Sequence, residues 1–256
     1  MTNHTSLSIC IICKNEADRI VACLNAVAGL SDDVVVVDSG STDDTVQKAE
    51  AWGGRVFFNP WSGYGPQKRF SEDQARYDWI LNLDADEVIT PSLRDEIRAL
   101  MQSDPALPAY RVKIMTIYPG KERPRLWADF NNYVRLYDRR RVRFANSPVH
   151  DTVDTGPYPV GQLTGQVLHF SARSYEHIRQ KLAAYTDLQS RTLHKRRWVI
   201  AVRLPFEYMF VFLRYYLARR HFTGGWDGIV SSHLAAESRF SRLIKMWRVG
   251  GASQLS

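Results

Sequence analysis

The chain has 256 residues, of which 45% are apolar and 12% aromatic, so it is long enough to bury a core and is not a disordered polymer. Its formal net charge of +7 is uneven, because residues 1–171 contain 19 Lys+Arg against 22 Asp+Glu, whereas residues 172–256 contain 15 against 5. This asymmetry predicts a weakly acidic body and a basic extension that binds an anionic surface. The N-terminal stretch MTNHTSLS has no Lys, no Arg and no long apolar run, so no cleaved signal peptide is expected.

The first hundred residues alternate between strand-like and helix-like patterns. The predicted strands are 7–13, 33–40, 55–60 and 78–84, and the predicted helices are 15–30, 41–54 and 90–102. Alternation with short connections predicts an α/β fold, in which helices flank a mainly parallel sheet. Open sheets of this kind bind ligands at the carboxyl ends of their strands, so the site is expected there.

The three cysteines lie close together at the start of the chain. Cys10 and Cys13 form a C-x-x-C pattern, which is typical of metal and redox sites, and Cys23 follows in the first predicted helix. Residues three apart on a strand point to opposite faces, and there is no second cysteine pair to complete a zinc site. The sequence therefore favours core cysteines, which are consistent with a reducing compartment.

The pattern changes in the second half of the chain. Segments between 109 and 171, such as AYRVKIMTIY and NNYVRLYDRR, alternate apolar and polar residues, which predicts antiparallel strands with one solvated face. Residues 172–247 have a helical pattern. We therefore expect a sheet-containing domain over 1–171 and a helical, basic extension over 172–256.

Three acids crowd the segment LNLDADE. Asp84 comes directly out of an apolar strand, and Asp86 and Glu87 follow within three positions. Carboxylates this close raise one another's pKa unless a cation neutralises them, and Mg²⁺ or Mn²⁺ suits oxygen ligands. The pattern favours a divalent-cation site; the alternative is a solvated acidic turn.

Two further loops are expected at the same rim of the sheet. VDSGSTDDT places Asp38 at the end of a β-branched run, and CKNEADRI places Lys14 and Glu16 ahead of a helix. Helix capping explains most of these polar residues, but it does not explain a carboxylate that ends a strand on the same rim as Asp84. The three loops together predict a ligand site.

The blocks ICIICKNEADRI, VVVVDSGSTDDT and DWILNLDADE, in this order and spacing, strongly resemble family 2 glycosyltransferases with the GT-A fold. The later segments NYVRLYDRRRVRF, SPVHDTV and GQVLHFS are similar to the branch that builds lipopolysaccharide core, which includes glucosyltransferases that add a β-1,4-linked glucose to the inner-core heptose. The resemblance implies a GT-A, Rossmann-like catalytic domain over 1–171. Its nucleotide-sugar half would span about 1–105 and its acceptor half about 106–171.

The resemblance also implies roles for the residues at the rim. The base and ribose of the nucleotide-sugar donor would be held by Ile12, Lys14, Glu16 and Asp38. These residues come from the first loop and from the acid that follows the second strand.

The metal and the diphosphate would be held by residues further along the chain. The D-x-D acids Asp84 and Asp86 are the implied ligands of Mg²⁺ or Mn²⁺, with Asp86 the stronger candidate; the ion would bridge the two phosphates of a UDP-sugar. His169 is a further candidate ligand, the alternative being a hydrogen-bonded core histidine. In GYGPQKRF, Lys68 or Arg69 is expected near the diphosphate, although a solvated helix start explains both equally well.

The segment SPVHDTV bears on the mechanism. An inverting transferase needs one carboxylate that takes the proton of the acceptor hydroxyl. Members of the family carry a pair of acids at this point, and this chain has His150-Asp151 instead. Asp151 is the expected base and His150 its rival; the alternative is a polar turn between strands.

The basic extension contains an apolar stretch over residues 198–222. Charged residues interrupt it too often for a membrane-spanning helix, and Arg203, Glu207 and Arg214 fall on one stripe of a helical projection. Bulky aromatic residues beside Arg219 and Arg220 favour a helix that lies in the plane of an anionic bilayer. The alternative is a helix packed on the catalytic domain with its arginines solvated.

These inferences predict an inverting, metal-dependent glycosyltransferase, bound peripherally to the cytoplasmic face of a bacterial inner membrane. The expected reaction moves a hexose, with glucose from UDP-glucose as the first candidate, onto a lipopolysaccharide core heptose or a similar lipid-linked glycan. One alternative is a nucleotidyltransferase on a similar sheet, but CKNEAD lacks the glycine-rich phosphate loop of that class. The other is a basic nucleic-acid-binding protein, which leaves the acids of the rim unexplained, so no nucleic-acid partner is expected.

Overall fold

The computed structural model describes residues 6–148, 151–192 and 197–252. These fall into two compact units: one lies within Met1–Met115 and Phe130–His169, the other within Thr116–Asp129 and Phe170–Ser256. Residues 116–129, which the sequence assigned to the sheet-containing domain, therefore group with the C-terminal helices. The assignment of separate roles to the two parts of the chain stays a prediction.

The first unit is built around an eight-stranded mixed sheet. Its strands are β1 (Leu7–Cys13), β2 (Asp33–Asp38), β3 (Arg55–Phe58), β4 (Trp79–Asp84), β5 (Glu87–Ile89), β6 (Ala109–Thr116), β7 (Phe130–Asp138) and β10 (Gly161–His169); β8 (Arg143–Phe144) and β9 (Val153–Asp154) form a separate pair. The order in the large sheet is β3-β2-β1-β4-β7-β6-β10-β5. The first four strands in this order pair in parallel, and the pairs β4–β7, β6–β7 and β10–β5 are antiparallel. The predicted α/β fold is confirmed, as is the predicted change from parallel strands in the first hundred residues to antiparallel strands after residue 109.

The core of this unit lies on both faces of the sheet. Every residue of β1 and β2 is buried, which is what continuous apolar strands in the middle of a sheet require. Cys10 packs in the cluster on one face, and Cys13 and Cys23 pack in the cluster on the other. All three are free thiols, so the prediction of core cysteines is confirmed.

Four helices cover the sheet, namely α1 (Ile20–Ala26), α2 (Thr45–Trp52), α3 (Tyr64–Asp73) and α4 (Pro91–Gln102). Helix α4 begins as predicted, with Pro91 in its first turn and the Thr90 hydroxyl accepting from the backbone N–H of Leu93. The predicted helix 15–30 is too long at its start. Asn15 has a φ of 56° and donates its backbone N–H to Ser41, so this loop bonds to the neighbouring loop and the helix begins only at Ile20.

The second unit is helical, as predicted. It contains α5 (Tyr175–Thr192), α6 (Arg197–Leu213), a π-helical turn (Arg214–Ala218), a 3₁₀ turn (His221–Gly224) and α7 (Gly225–Ala252). Both α5 and α6 pack on α7, where Ile200, Leu243 and Met246 form a small buried cluster. Pro205 lies inside α6 without ending it. No helix in the described ranges is both long and apolar enough to cross a bilayer.

Candidate active site

The candidate site lies where the strand order of the sheet reverses. Strand β1 has β2 on one side and β4 on the other, which is the type of position where open α/β sheets bind ligands. The parallel registers pair Cys13 with Asp38 and Ile12 with Asp84, so the strands end together. The structure therefore brings the three predicted loops to one rim.

Asp38 shapes the loop that follows β2. Its side chain is buried, and its Oδ2 atom accepts from the backbone N–H groups of Gly40 at 2.8 Å and Ser41 at 2.9 Å. Its Oδ1 atom accepts from the hydroxyl of Ser41 at 2.5 Å, so both carboxylate oxygens of Asp38 bond within this loop. Lys14, by contrast, is exposed, and Ile12 is buried beneath the rim.

A buried lysine joins two of the predicted carboxylates. The Nζ atom of Lys68 lies 2.9 Å from Oδ1 of Asp84 and 2.7 Å from Oδ1 of Asp151, and its side chain is fully buried. These contacts are ion pairs by distance and are not aligned as hydrogen bonds. The alternative of a solvated helix start is therefore wrong for Lys68. Arg69 instead donates to the backbone carbonyl of Phe144 at 3.0 Å.

Arg135 is a site residue that the sequence analysis missed. It lies on β7 with 2% of its surface exposed, and its Nη2 atom is 2.8 Å from Glu87 Oε1, 3.3 Å from Asp84 Oδ2 and 3.8 Å from Asp151 Oδ2. The available signal was a single arginine between Val134 and Leu136 in a predicted strand, since such a charge is buried only with a partner.

The two cations change the protonation of the acids around them. Burial raises the pKa of Asp84, but the charges of Lys68 and Arg135 outweigh it and hold that pKa well below its usual range. Burial raises the pKa of Glu87 above its usual range despite the charge of Arg135. The crowding of acids therefore does not by itself require a divalent cation, because Lys68 and Arg135 already compensate Asp84.

Asp86 belongs to a second group of charges. Its Oδ2 atom lies 3.3 Å from Nε2 of His169 and 3.7 Å from Nη1 of Arg19. Arg19 in turn donates from Nε to Glu16 Oε2 at 2.6 Å, and the predicted role of Glu16 toward a nucleotide stays a prediction. Burial lowers the pKa of His169. Its hydrogen bond to Asp86 and the charges of the nearby carboxylates raise that pKa by more than burial lowers it, so the pKa lies above its usual value.

The side chains of this second group bear on whether the rim can hold a metal ion. Within the described ranges, no three His, Cys, Asp or Glu side chains are grouped so that they would hold an ion by themselves. Asp86 and His169 supply one oxygen and one nitrogen close together, whereas both oxygens of Asp84 already face cations. Ions such as Mg²⁺ commonly take few protein ligands together with substrate phosphates. Asp86 and His169 fit an ion of that kind, and Asp84 does not lie free to join them.

The first turn of α3 contacts residues 145–148, a short way before Asp151 in the chain. The backbone N–H groups of Tyr64 and Gly65 donate to the carbonyls of Pro148 at 3.2 Å and Ser147 at 3.1 Å. A Cβ atom on Gly65 would stand 2.0 Å from the carbonyl oxygen of Ala145, so only glycine fits. The first turn of α3 therefore packs on residues 145–148, and the N–H groups of Tyr64 and Gly65 are not available to a diphosphate. His150, the rival base, lies outside the described residues.

The sequence matches the family model described as glycosyl transferase family 2 over residues 8–156, more than half of the chain. The chain belongs to this family. As a family 2 glycosyltransferase it is an enzyme that transfers a sugar, and the alternatives of a nucleotidyltransferase and of a nucleic-acid-binding protein are set aside. The matched region contains both groups of charges except His169.

Relatives of this family 2 glycosyltransferase span nearly its whole length. It is 39% identical over 254 residues to an uncharacterised glycosyltransferase of Rickettsia prowazekii, with 94% of this chain and 86% of that protein covered. It is 26% identical over 257 residues to the lipopolysaccharide core biosynthesis glycosyltransferase LpsC of Rhizobium meliloti, with 94% and 92% covered. The predicted likeness to glycosyltransferases of lipopolysaccharide core is thus matched by a relative of that name.

Among solved structures, the glucosyl-3-phosphoglycerate synthase of Mycobacterium tuberculosis is similar in part. Its complex with Mn²⁺, UDP and glucosyl-3-phosphoglycerate aligns with a TM-score of 0.36 and 25% identity, over 45% of this chain and 45% of that one. The overlap is limited on both sides, and membership of the family rests on the sequence match.

Proposed function

We propose that this glycosyltransferase is an inverting, metal-dependent hexosyltransferase. The donor would be a nucleotide sugar, with UDP-glucose as the first candidate, and the acceptor a heptose of lipopolysaccharide core or a similar lipid-linked glycan. One observation carries the proposal: Asp151 and Asp86 lie on the same rim in two separately compensated charge groups. One carboxylate can thus accept a proton while the other faces a cation.

Asp151 is the proposed base. About 28% of its side chain is exposed, so an acceptor hydroxyl can reach it, and Lys68 holds its Oδ1 atom in place. In the proposed step, the carboxylate takes the hydroxyl proton and the acceptor oxygen bonds to the anomeric carbon. The bond from that carbon to the diphosphate breaks, and the electron pair leaves with the nucleoside diphosphate.

Asp86 and His169 are the proposed metal ligands, and Lys14 and the loop shaped by Asp38 are proposed to contact the nucleotide. The ion, when bound, would neutralise the charge that develops on the departing diphosphate. A nitrogen ligand suits Mn²⁺ better than Mg²⁺, which prefers oxygen, so Mn²⁺ is the first candidate. The Mn²⁺ in the partly similar mycobacterial complex belongs to that protein alone.

The proposed membrane association is supported by the surface of α6. On the polar stripe predicted for this helix, Glu207 is buried and accepts from Arg203 at 2.8 Å, whereas Arg214 is exposed. Phe212 stacks between Tyr208 and Tyr216. The exposed face is instead apolar, and we call it the α6 apolar face: Trp198, Val202, Phe206, Met209, Phe210, Leu213 and Leu217.

The α6 apolar face has the spacing of one side of a helix, and a contiguous exposed patch of this kind marks an interaction surface. Exposed arginines follow it at 214, 219 and 220. Bulky apolar side chains beside arginines suit the interface of an anionic bilayer, which is where a lipid-linked acceptor would be met. The proposed location is the cytoplasmic face of the inner membrane.

A panel of nucleotide sugars, assayed with Mn²⁺, with Mg²⁺ and with EDTA, tests the reaction. We expect turnover of one UDP-hexose that requires metal and is lost in Asp86→Ala. The exposed Asp95→Ala on α4 is the matched control and should keep full activity. Asp151→Asn should bind donor as wild type does and transfer no sugar. Equal turnover in EDTA, or a fully active Asp151→Asn, would contradict the proposal.

Vesicle sedimentation tests the membrane association. Wild type should sediment with phosphatidylglycerol vesicles and be released by 0.5 M salt (about a 4 Å screening length). Phe206→Ser combined with Phe210→Ser should remain in the supernatant. Phe58→Ser, at an equally exposed phenylalanine of β3, serves as the control. If the double variant at Phe206 and Phe210 sedimented like wild type, the α6 apolar face would have no role in binding.

A further inference from the structure

The helical unit contains a cavity between α5 and α7 that the proposed reaction does not use. Its volume is about 420 Å³, within the range of ligand pockets. Leu182 and Leu234 contribute apolar wall, Gln189 contributes a polar group, and two arginines of α7, Arg239 and Arg242, complete the lining. A wall that combines apolar surface with two cations suits a ligand that is both apolar and anionic.

Arg242 is the unusual member of this lining. Only 9% of its surface is exposed, yet its one hydrogen bond to a side chain is with the neutral Oε1 atom of Gln189, at 3.0 Å. Its Nε atom has no hydrogen-bond partner, and no carboxylate of the described chain lies within ion-pair distance of either Arg239 or Arg242. A buried guanidinium without an anion is unfavourable, so an anion that entered the cavity would stabilise this charge.

Neighbouring cations of the same unit, unlike these two arginines, form ion pairs with carboxylates. Arg179 pairs with Glu237 at 2.8 Å, and Lys245 pairs with Asp187 at 2.7 Å. Burial and the positive charge of Arg239 lower the pKa of Arg242, and the carboxylate of Glu207, which pairs with Arg203, offsets this only in part. The two arginines of the cavity are therefore set apart from the paired cations around them.

We propose that this cavity binds a phosphate group carried by an amphipathic molecule. The guanidinium groups of Arg239 and Arg242 would bind the phosphate oxygens, because the planar fork of arginine matches that geometry. Leu182 and Leu234 would contact the apolar part of the ligand. Phosphate binding by this cavity does not depend on the proposed function. The identification of its ligand as a phosphorylated, lipid-linked acceptor rests on the proposed function.

Calorimetric titration of the full chain tests the site with three probes. These are dihexanoyl phosphatidic acid below its micelle concentration, dihexanoyl phosphatidylcholine and inorganic phosphate. We expect phosphatidic acid to bind most tightly. Arg242→Met, which keeps the side-chain volume, and Arg239→Gln, at an exposed position, should each weaken this binding by about tenfold to a hundredfold. Arg248→Gln, at an exposed arginine of the same helix, should leave it unchanged.

The folded state of each variant is checked by circular dichroism and thermal unfolding. Arg242→Met should be at least as stable as wild type, because it removes a buried charge that has no partner. If inorganic phosphate bound as tightly as phosphatidic acid, the cavity would be an anion site, and the proposal that its ligand is amphipathic would be overturned. Absence of saturable binding, or binding that both arginine variants retain, would overturn the proposal. Because no sugar donor or turnover is involved, failure of the proposed reaction would not affect this result.

Discussion

The substitution Lys68→Met tests the pairing of charges at the centre of the site. Methionine keeps most of the side-chain volume but removes the ammonium group that lies 2.9 Å from Asp84 and 2.7 Å from Asp151. Removing one partner of a buried ion pair costs about 3–5 kcal/mol. Arg135 remains 3.3 Å from Asp84 and 3.8 Å from Asp151, so we expect the free energy of unfolding to fall by about 2–4 kcal/mol.

Urea unfolding, followed by circular dichroism, measures this loss. For a chain of this size it corresponds to a midpoint lower by roughly 1 M urea. Lys121→Met is the matched control, since Lys121 pairs with Asp227 at 3.2 Å but is 55% exposed, and exposed pairs contribute less than about 1 kcal/mol. Adding Asp84→Asn to Lys68→Met should restore part of the stability, because the unpaired carboxylate is then gone. An unchanged midpoint in Lys68→Met would refute the reasoning.

Two further changes test the loop and the helical unit. Gly65→Ala should reduce transfer activity and lower the free energy of unfolding by about 1–3 kcal/mol, because the added methyl group meets the carbonyl of Ala145. Transfer assays with increasing donor concentration and urea unfolding measure the two effects. A fully active, equally stable variant would contradict the packing. Burial, followed by the charge of Arg125, lowers the pKa of His221 from 6.5 to about 4. The unfolded chain then binds a proton that the fold excludes, so stability should fall as the pH decreases from about 6.5 to 4. In His221→Gln this part of the thermal-unfolding pH profile should be flatter, and an unchanged profile would contradict the assignment.

Local pattern was sufficient to predict the α/β class and the rim that carries the site. Continuous apolar runs made β1 and β2 recognisable, because strands buried on both faces have no polar alternation. Asp38 and Asp84 were placed at one rim because parallel strands end on the same side of a sheet. The resemblance to family 2 glycosyltransferases, carried by three blocks of sequence, is confirmed by the family match.

Helix boundaries were less well predicted where two loops bond to each other. The helix expected from residue 15 begins at Ile20, because Asn15 and Glu16 donate to side chains some thirty positions later. Capping patterns describe only neighbours in the sequence, so they cannot register such bonds. The same limit applies to Gly65, whose need for glycine comes from Ala145, a residue eighty positions away.

The sequence by itself determined which carboxylates stand at the rim, since strand ends and their acids are local features of the chain. Only the tertiary structure decided which cations pair with these carboxylates. Lys68 lies on α3 and Arg135 on β7, and residue spacing predicts neither position. Arg135 is 51 residues from Asp84 in the chain and reaches it only because β7 lies next to β4 in the sheet. The charges that crowd one short segment are therefore compensated by groups that folding brings from elsewhere, as electrostatic energy depends on distance in space and not along the chain.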